Sequence, residues 1–298
     1  MVHLPADVAP ARGGDAVAAT AGLVAFASER IAPALPAWSH GPVAVLGGEI
    51  AYRAAPGARE AVRRNLGVVC PDRRDRETLV RRTFVAQVRH YLEIFRLARL
   101  RPDQLAREVT VTGWDGFVAA HARGNGVIIA SAHLGPVSVC GQIFAAAGYP
   151  VTLPIERESG ALARAVNRAR RAMGIRFVET ESALGVHRVL RRGEILAMLA
   201  DRAVTGVGVR LPFFGREALL PSAHVALALR TGAALVPAFA RRDGPRLLAQ
   251  ILPELELRRS GDRDADVRAG VAAFARLLED HVRQAPEQWS VFEPFWER

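Results

Sequence analysis

Short apolar runs alternate with stretches of helical pattern in the part of the chain that follows Gly126. The apolar runs are VIIAS (127–131), PVTLPI (150–155), IRFVE (175–179), ILAMLA (195–200) and AALVPAF (233–239). The helical stretches between them cover residues 158–173, 181–192 and 222–232. Runs of this length and composition are typical of buried strands. The alternation therefore predicts an α/β fold, a single αβα sandwich with a largely parallel central sheet and helices on both of its faces.

Helical patterns also precede this predicted sheet and follow it. Apolar residues recur at steps of three and four over residues 76–100 and again over 265–285, which predicts two long amphipathic helices. His90 falls among polar neighbours on the first of them, so we expect it on a solvated face. Residues 16–38 are apolar and interrupted by two prolines. For this stretch, packing on the core is favoured over a position on a membrane surface.

The composition indicates a folded protein with a strong positive charge. Half of the 298 residues are hydrophobic, which suffices for a large α/β domain and excludes wholesale disorder. We expect a leader and helical extension over residues 1–40 and a single α/β domain over 41–298. The formal net charge is +10, and all 40 basic residues are arginines. Such a field attracts anionic lipids, acidic carrier proteins, nucleic acids or phosphorylated small molecules.

Several classes of protein are disfavoured by the sequence. Its two cysteines, Cys70 and Cys140, have no CxxC spacing, which argues against a zinc site or a disulfide framework and favours a reducing compartment. We expect neither a secretory signal nor a membrane-spanning helix, because no run of about 18 apolar residues occurs and no basic segment leads into an apolar one at the N-terminus. Aromatic residues, 6% of the chain, do not cluster among the arginines, which argues against nucleic acid binding in general.

A histidine stands at the end of the first predicted strand, in the stretch IIASAHLGPVSVCG (128–141). Gly135 and Pro136 break the strand pattern just after His133. Ligands of open α/β sheets bind beyond the carboxyl ends of the strands, so His133 lies where a general base would act. A carboxylate usually holds such a base, and this stretch contains none. The chain also lacks a G-x-S-x-G turn, which argues against a serine hydrolase.

Several blocks of sequence carry a resemblance to a known family. They are AVRRNLGVVCPD (61–72), GVIIASAHLGPVSV (126–139), PVTLPIERES (150–159), LADR (199–202), PFFGREALLP (212–221), LALRTGAALVPAF (227–239) and PEQWSVFEPFW (286–296). Together they resemble the lysophospholipid acyltransferase superfamily, in its branch of bacterial lipid A lauroyl/myristoyl acyltransferases and phosphatidylinositol mannoside acyltransferases. The resemblance covers most of the chain. It implies acyl transfer from a thioester, acyl-CoA or acyl carrier protein, to a hydroxyl or amine of a lipid or glycolipid. No cofactor and no metal are expected.

The resemblance implies a role for His133 and exposes a departure from the family pattern. In the family the histidine removes the acceptor's proton, and an acidic residue five positions later fixes its tautomer. In this chain that residue is Ser138, which supplies no charge. Three explanations remain open, in this order of preference. Another acid replaces it, with Glu217 and Glu156 favoured over Asp201 because the resemblance implies that both stand in loops that match the family's site; or the acceptor is an easy nucleophile; or the protein binds lipid without catalysis.

Five residues are candidates for binding the donor or the substrate, namely Arg157, Arg164, Asp201, Arg202 and His224. Arg157 and Arg202 each follow an acidic residue in turns that match the family, so they are the favoured phosphate ligands. Arg164 lies on an Arg-rich helix face, which is either a phosphate site or an ordinary solvated surface. His224 begins a predicted helix, whose N-terminus would lower its pKa. Packing under the neighbouring loop is the favoured alternative for it.

Three functions are compatible with this sequence. The favoured one is a peripheral enzyme on the cytoplasmic face of the cell membrane that acylates a glycolipid or lysophospholipid, with an anionic membrane surface as partner. The second is a soluble cytoplasmic enzyme of specialised metabolism that moves an acyl or aminoacyl group from a carrier protein or aminoacyl-tRNA, which makes tRNA a less favoured partner. The third is a non-catalytic lipid-binding protein. The missing carboxylate and the positive charge favour the second, and the number of matched blocks favours the first.

Overall fold

The computed structural model describes Glu29 and residues 34–155, 160–180, 182–203 and 206–297. The candidate residues Glu156 and Arg157, and most of the apolar stretch 16–38, lie outside these described residues. Within the described ranges, no helix has the length and apolar character needed to cross a membrane.

The strands of the described residues form a large central sheet and a separate hairpin. They are β1 (Val109–Thr112), β2 (Val127–Ser131), β3 (Val151–Ile155), β4 (Arg176–Glu179), β5 (Ile195–Leu199), β6 (Val209–Phe213), β7 (Arg216–Leu220), β8 (Ala234–Asp243) and β9 (Arg246–Ile251). The central sheet has seven strands in the order β1-β9-β8-β2-β5-β3-β4. Its pairs are parallel except for β8 with β9, which is antiparallel. The predicted α/β fold with a largely parallel sheet is confirmed.

Helices precede the sheet and fill the connections between its strands. They are α1 (His40–Ala54), α2 (Pro56–Val69), α3 (Arg76–Leu97), α4 (Pro102–Glu108), α5 (Trp114–Ala122), α6 (Ser138–Ala146), α7 (Ala161–Ala172), α8 (Ala183–Arg191), α9 (Ala223–Thr231) and α10 (Arg263–Gln284). Each helix predicted after the first strand is present within a few residues of its predicted bounds. The helix predicted over 76–100 ends at Leu97, and Pro102 starts α4, because proline is favoured in the first turn of a helix.

The sheet separates two apolar cores, because alternate residues of a strand point to opposite faces. Ile128 of β2 packs in the core that contains Phe274 of α10. Its neighbour Ile129 packs in the opposite core, which contains Phe144 of α6. All residues of β2 are buried, which explains the continuous apolar sequence of this strand. The arrangement is the αβα sandwich that the sequence predicts.

The hairpin β6–β7 occupies most of the block PFFGREALLP, where the resemblance led us to expect a loop. Phe214 and Gly215 connect its strands, with φ angles of 50° and 74°. Two central residues with positive φ form a turn whose twist matches that of paired strands. Phe213 is fully buried in the core beneath the hairpin. Glu217 therefore lies on a strand of this hairpin rather than in a loop.

Candidate active site

Two neighbouring parallel strands bring His133 and Asp201 together. β2 ends at Ser131 and β5 ends at Leu199, and these two residues are partners in the sheet register. The backbone N–H of Ala200 donates to the carbonyl of Ser131 at 2.8 Å, which extends the pairing past the strand ends. His133 and Asp201 each follow two residues after the end of their strand. The register therefore places both side chains at the carboxyl edge of the sheet, where open α/β sheets bind ligands.

Asp201 accepts three hydrogen bonds around His133. Its Oδ1 lies 2.8 Å from Nδ1 of His133. Its Oδ2 accepts from the backbone N–H of His133 at 3.0 Å and from the indole Nε1–H of Trp289 at 3.1 Å. The Asp201 side chain is fully buried, whereas that of His133 is 28% exposed. The carboxylate is thus enclosed, while the imidazole still faces solvent on one side.

The surroundings of Asp201 keep it ionised. Burial by itself would raise the pKa of this carboxyl. The charge of His133 and the hydrogen bonds from His133 and Trp289 outweigh burial, so the pKa of Asp201 lies below its usual value. An ionised carboxylate only accepts hydrogen bonds, so the proton of a neutral His133 sits on Nδ1 and donates to Oδ1. The Nε2 of His133 therefore carries the free lone pair that a base needs.

The C-terminal segment, residues 286–297, contacts the turn that carries His133 and fixes its position. The backbone N–H of Ser290 donates to the carbonyl of His133 at 2.7 Å, and Gly135 N–H donates to the carbonyl of Gln288 at 2.8 Å. Gly135 has a φ of 56°, and a Cβ at this position would lie 2.5 Å from the carbonyl oxygen of Ala240. Only glycine fits this approach without displacing the strand behind it. The turn is thus fixed on both sides, which orients His133.

Among the candidate acids within the described residues, the structure places Asp201 in contact with His133. The side chain of Glu217 is 69% exposed, and its Oε1 lies 3.7 Å from Nη1 of Arg210 across the β6–β7 hairpin. Ser138, the first residue of α6, is buried, and its Oγ accepts from Arg170 at 3.4 Å. In the described ranges, no hydrogen bond joins either side chain to His133. The acid that contacts His133 is Asp201, which the sequence ranked behind Glu217 and placed with the binding residues. The favoured alternative Glu156 lies outside the described residues.

The predicted phosphate ligands do not form one cluster in the described part of the chain. Arg202 forms an ion pair with Glu293 of the C-terminal segment. Arg164 is exposed on α7, and Arg168 on the same helix pairs with Glu29 at 2.7 Å. Arg157 lies outside the described residues. The charge of Arg202 is therefore already balanced, whereas Arg164 faces solvent.

His224 is buried beneath the loop before α9. Its ring packs edge-on against Phe274 with 4.9 Å between ring centroids. Neither ring nitrogen has a hydrogen-bond partner among the residues described. Burial lowers the pKa of His224 to about 3, so it is neutral at physiological pH. This geometry matches the packed alternative rather than a binding role.

His90 is half-buried rather than fully solvated, so the predicted solvated position is wrong. Its Nδ1 is shielded from solvent and lacks a hydrogen-bond partner in the described ranges. Burial, reinforced by the positive charges of Arg170 and His133, lowers the pKa of His90 to about 3. The sequence misleads here because α3 packs against α7, where Tyr91, the neighbour of His90, lies in one contact cluster with Val166.

Two residues near His133 were not predicted from the sequence. Trp289 belongs to a block that carried the family resemblance, and it orients Asp201 through its indole N–H. A buried tryptophan usually finds a hydrogen-bond acceptor, and this tendency was the available signal. Arg170 contacts Ser138, but nothing in the sequence distinguishes it from the other arginines of its helix.

Residues 23–298 match the family described as bacterial lipid A biosynthesis acyltransferase. A phosphatidylinositol mannoside acyltransferase of Mycolicibacterium smegmatis is 29% identical over 271 residues, which cover 85% of this chain and 84% of that protein. A protein of the same name from Mycobacterium tuberculosis strain H37Rv is 28% identical over 265 residues, covering 82% of this chain and 79% of that protein.

The family match spans the whole described fold, including both strand ends that carry His133 and Asp201. The matches confirm the resemblance drawn from the sequence blocks. The protein is an acyltransferase of lipid or glycolipid biosynthesis. The chain belongs to the bacterial lipid A biosynthesis acyltransferase family.

Proposed function

We propose that the protein transfers an acyl group from a thioester, acyl-CoA or acyl carrier protein, to a hydroxyl or amine of a lipid or glycolipid, with His133 as general base. The observation that carries this proposal is the 2.8 Å contact between Nδ1 of His133 and the buried carboxylate of Asp201. This contact leaves Nε2 as the proton acceptor at the carboxyl edge of the sheet. Asp201 acts as a positioning residue.

The atoms and charges of the reaction balance with one proton, which moves from the acceptor to His133 and then to the leaving thiolate. No oxidant or reductant is needed. Nε2 of His133 takes the proton from the acceptor hydroxyl as its oxygen attacks the thioester carbonyl carbon. The tetrahedral intermediate collapses, the carbon–sulfur bond breaks, and the imidazolium returns the proton to the leaving thiolate. The Asp201 carboxylate stabilises the imidazolium while it exists. The products are the acylated lipid and the free thiol of the donor.

Direct transfer agrees better with this chain than an acyl-enzyme on Cys140. Cys140 of α6 is buried. Burial raises the pKa of its thiol to about 12, and the thiolate is the nucleophilic form of cysteine. Cys140 is therefore a poor nucleophile at neutral pH.

The proposed acceptor is a phosphatidylinositol mannoside or a similar glycolipid. The relatives that are 28% and 29% identical carry this acceptor in their name. The sequence argument for a soluble enzyme of specialised metabolism rested partly on the missing carboxylate at position 138. Asp201 supplies a carboxylate from another strand. This observation favours the lipid acceptor over a small amine.

A transfer assay tests this proposal directly. The purified protein is incubated with a series of saturated acyl-CoA thioesters and with phosphatidylinositol mannoside in detergent. We expect thiol release to depend on the lipid and to equal the acylated lipid that mass spectrometry detects. A reaction without the lipid is the control. Thiol release of the same size without acceptor would indicate a thioesterase, and no reaction with any thioester would remove the proposed donor class.

We further propose that the protein works at an anionic membrane surface. Apolar side chains are exposed on one side of α1 and just before it, and Leu46 and Ile50 are 66% and 58% exposed. Val43 lies on the same side, since it is three and seven residues from these two, and Trp38 precedes the helix. Large exposed apolar groups rimmed by polar residues are typical of contact surfaces.

Positive charges border this apolar side of α1. Arg53 of α1 and Arg81 of α3 both contact Glu49, so two arginines share one carboxylate beside Ile50. Arg82 is exposed next to Arg81. An apolar helix face flanked by a net positive charge is complementary to the interface of an anionic bilayer.

Substitution of both Leu46 and Ile50 by asparagine is expected to weaken binding to vesicles of phosphatidylcholine and phosphatidylglycerol by about tenfold or more, because each buried side chain of this type contributes about 1.5–3 kcal/mol. Vesicle sedimentation measures the effect. The matched control is Leu184→Asn, since Leu184 of α8 is 79% exposed. Equal losses for the control and the double variant would contradict a role for this face.

A further inference from the structure

Arg170 lies in the last turn of α7 without an acidic partner among the described residues. Its guanidinium donates to Ser138 Oγ and to Asn167 Oδ1, each at 3.4 Å. Its Nε is shielded from solvent and has no hydrogen-bond partner in the same ranges. Burial also lowers the pKa of Arg170. A positive charge placed in such surroundings is costly unless an anion compensates it.

Two other arginines with little exposure are compensated by carboxylates. Arg242 and Arg96 are each 14% exposed. Arg242 pairs with Glu93, and Arg96 pairs with Glu108. The long, neutral contacts of Arg170 therefore differ from the carboxylate pairing of these two guanidinium groups.

The surroundings of Arg170 adjoin His133. Ser138, which Arg170 contacts, begins α6 five residues after His133. His90 of α3 is near enough to both Arg170 and His133 for each positive charge to affect its titration. The Nδ1 of His90 is also buried without a partner in the described ranges. Arg170, His90 and Ser138 thus present polar groups beside the proposed base, at the positive end of a helix.

Resting on the proposed function, we propose that Arg170, with His90 and Ser138, binds the phosphate group of the lipid acceptor and so places its hydroxyl at His133. A guanidinium offers the planar set of donors that phosphate oxygens match. The N-terminus of α6 favours the same charge. A carboxylate at position 138 would neutralise Arg170 within the protein, whereas the serine of this chain leaves the charge for a ligand.

Stability measurements separate this role from a structural one. Arg170→Met removes the uncompensated charge, and Ser138→Asp pairs it internally. In a buffer of low ionic strength without phosphate, we expect both variants to melt at or above the temperature of the wild-type protein. A structural arginine would give the opposite result for Arg170→Met, a lower melting temperature, because its loss would break needed contacts.

Ligand binding completes the test. Inorganic phosphate, glycerophosphoinositol and coenzyme A are each titrated by calorimetry at matched ionic strength. We expect both variants to bind phosphate and glycerophosphoinositol about 10- to 100-fold more weakly than wild type, as the loss of hydrogen bonds to a charged group implies. Arg168→Gln, which changes an exposed arginine of the same helix, is the control and should bind as wild type does.

Each outcome decides the proposal. Phosphate affinities of both variants within about threefold of wild type would overturn it, as would a destabilised Arg170→Met protein with unchanged affinity. If Arg170→Met does not fold, Ser138→Asp alone decides. Arg170-dependent binding of coenzyme A without binding of glycerophosphoinositol would assign the phosphate to the donor and overturn the acceptor role. His133→Ala should still bind phosphate. Failure of the catalytic proposal can therefore be told apart from failure of the phosphate-binding proposal.

Discussion

Asp201→Asn is expected to lower kcat/KM for acyl transfer by about 10³- to 10⁴-fold, or about 4.1–5.4 kcal/mol, as carboxylate-to-amide changes do in comparable relays. The amide of the asparagine could turn an N–H towards Nδ1 of His133, and the negative charge that faces Nδ1 in the wild-type protein would be absent. The proton of the imidazole would then move to Nε2, which could no longer accept the proton of the acceptor. The measurement is steady-state thiol release with varied acceptor.

The comparison variant for this experiment is Glu217→Gln. Glu217 is the acid that the sequence ranked first, and its side chain is 69% exposed on the β6–β7 hairpin. We expect its kcat/KM to stay within about twofold of wild type, since exposed substitutions away from the site have small effects. Circular dichroism and thermal melts check that both variants fold. A large loss in Glu217→Gln with near-normal activity in Asp201→Asn would assign the acid to the hairpin instead.

His133→Ala is expected to reduce kcat by about 10²- to 10⁴-fold, the usual contribution of a positioned general base. The binding of the acyl-CoA donor should change little, because the proposed role of His133 is proton transfer to and from the reacting groups. We therefore expect transfer to be strongly reduced, while calorimetry still detects binding of the donor. The matched control is His187→Ala on α8, a partly exposed histidine. Turnover of His133→Ala within about tenfold of wild type would remove it from this role.

The sheet and its helices could be predicted because local sequence determines them. β2 is a run of five buried residues bounded by Gly126 and by the turn at Gly135, and its predicted and observed bounds are identical. The helix α10 has a regular apolar stripe that packs in the core. The strands β1 and β9 were not predicted, because β1 is an edge strand of only four residues and β9 alternates buried with less buried residues instead of forming a continuous apolar run.

The partner of His133 could not be predicted because it depends on strand order. Asp201 and His133 are 68 residues apart in the chain and meet only because β5 pairs directly with β2. The sequence predicts both strands, yet it gives no rule for their adjacency. Glu217 was favoured because its block resembled a site loop, whereas the turn at Phe214 and Gly215 makes a hairpin.

The enclosed groups around Arg170 were hidden from sequence analysis for a related reason. The amphipathic pattern of α3 indicates which residues are apolar, but it does not show that packing against α7 leaves His90 half-buried with a shielded Nδ1. The arginines of α7 alternate between an exposed side, with Arg164, and an enclosed side, with Arg170. The sequence does not show which of these arginines is enclosed, because that depends on how α7 packs.

A double-mutant cycle of His133→Ala and Asp201→Asn tests most directly whether the two residues act as one catalytic unit. The four proteins are compared by kcat/KM in the same transfer assay. If Asp201 acts through His133, the double variant should be no slower than His133→Ala alone, within about threefold, because residues that act as a unit are strongly non-additive. Losses that multiply would contradict the relay, since Asp201 would then contribute to catalysis independently of His133.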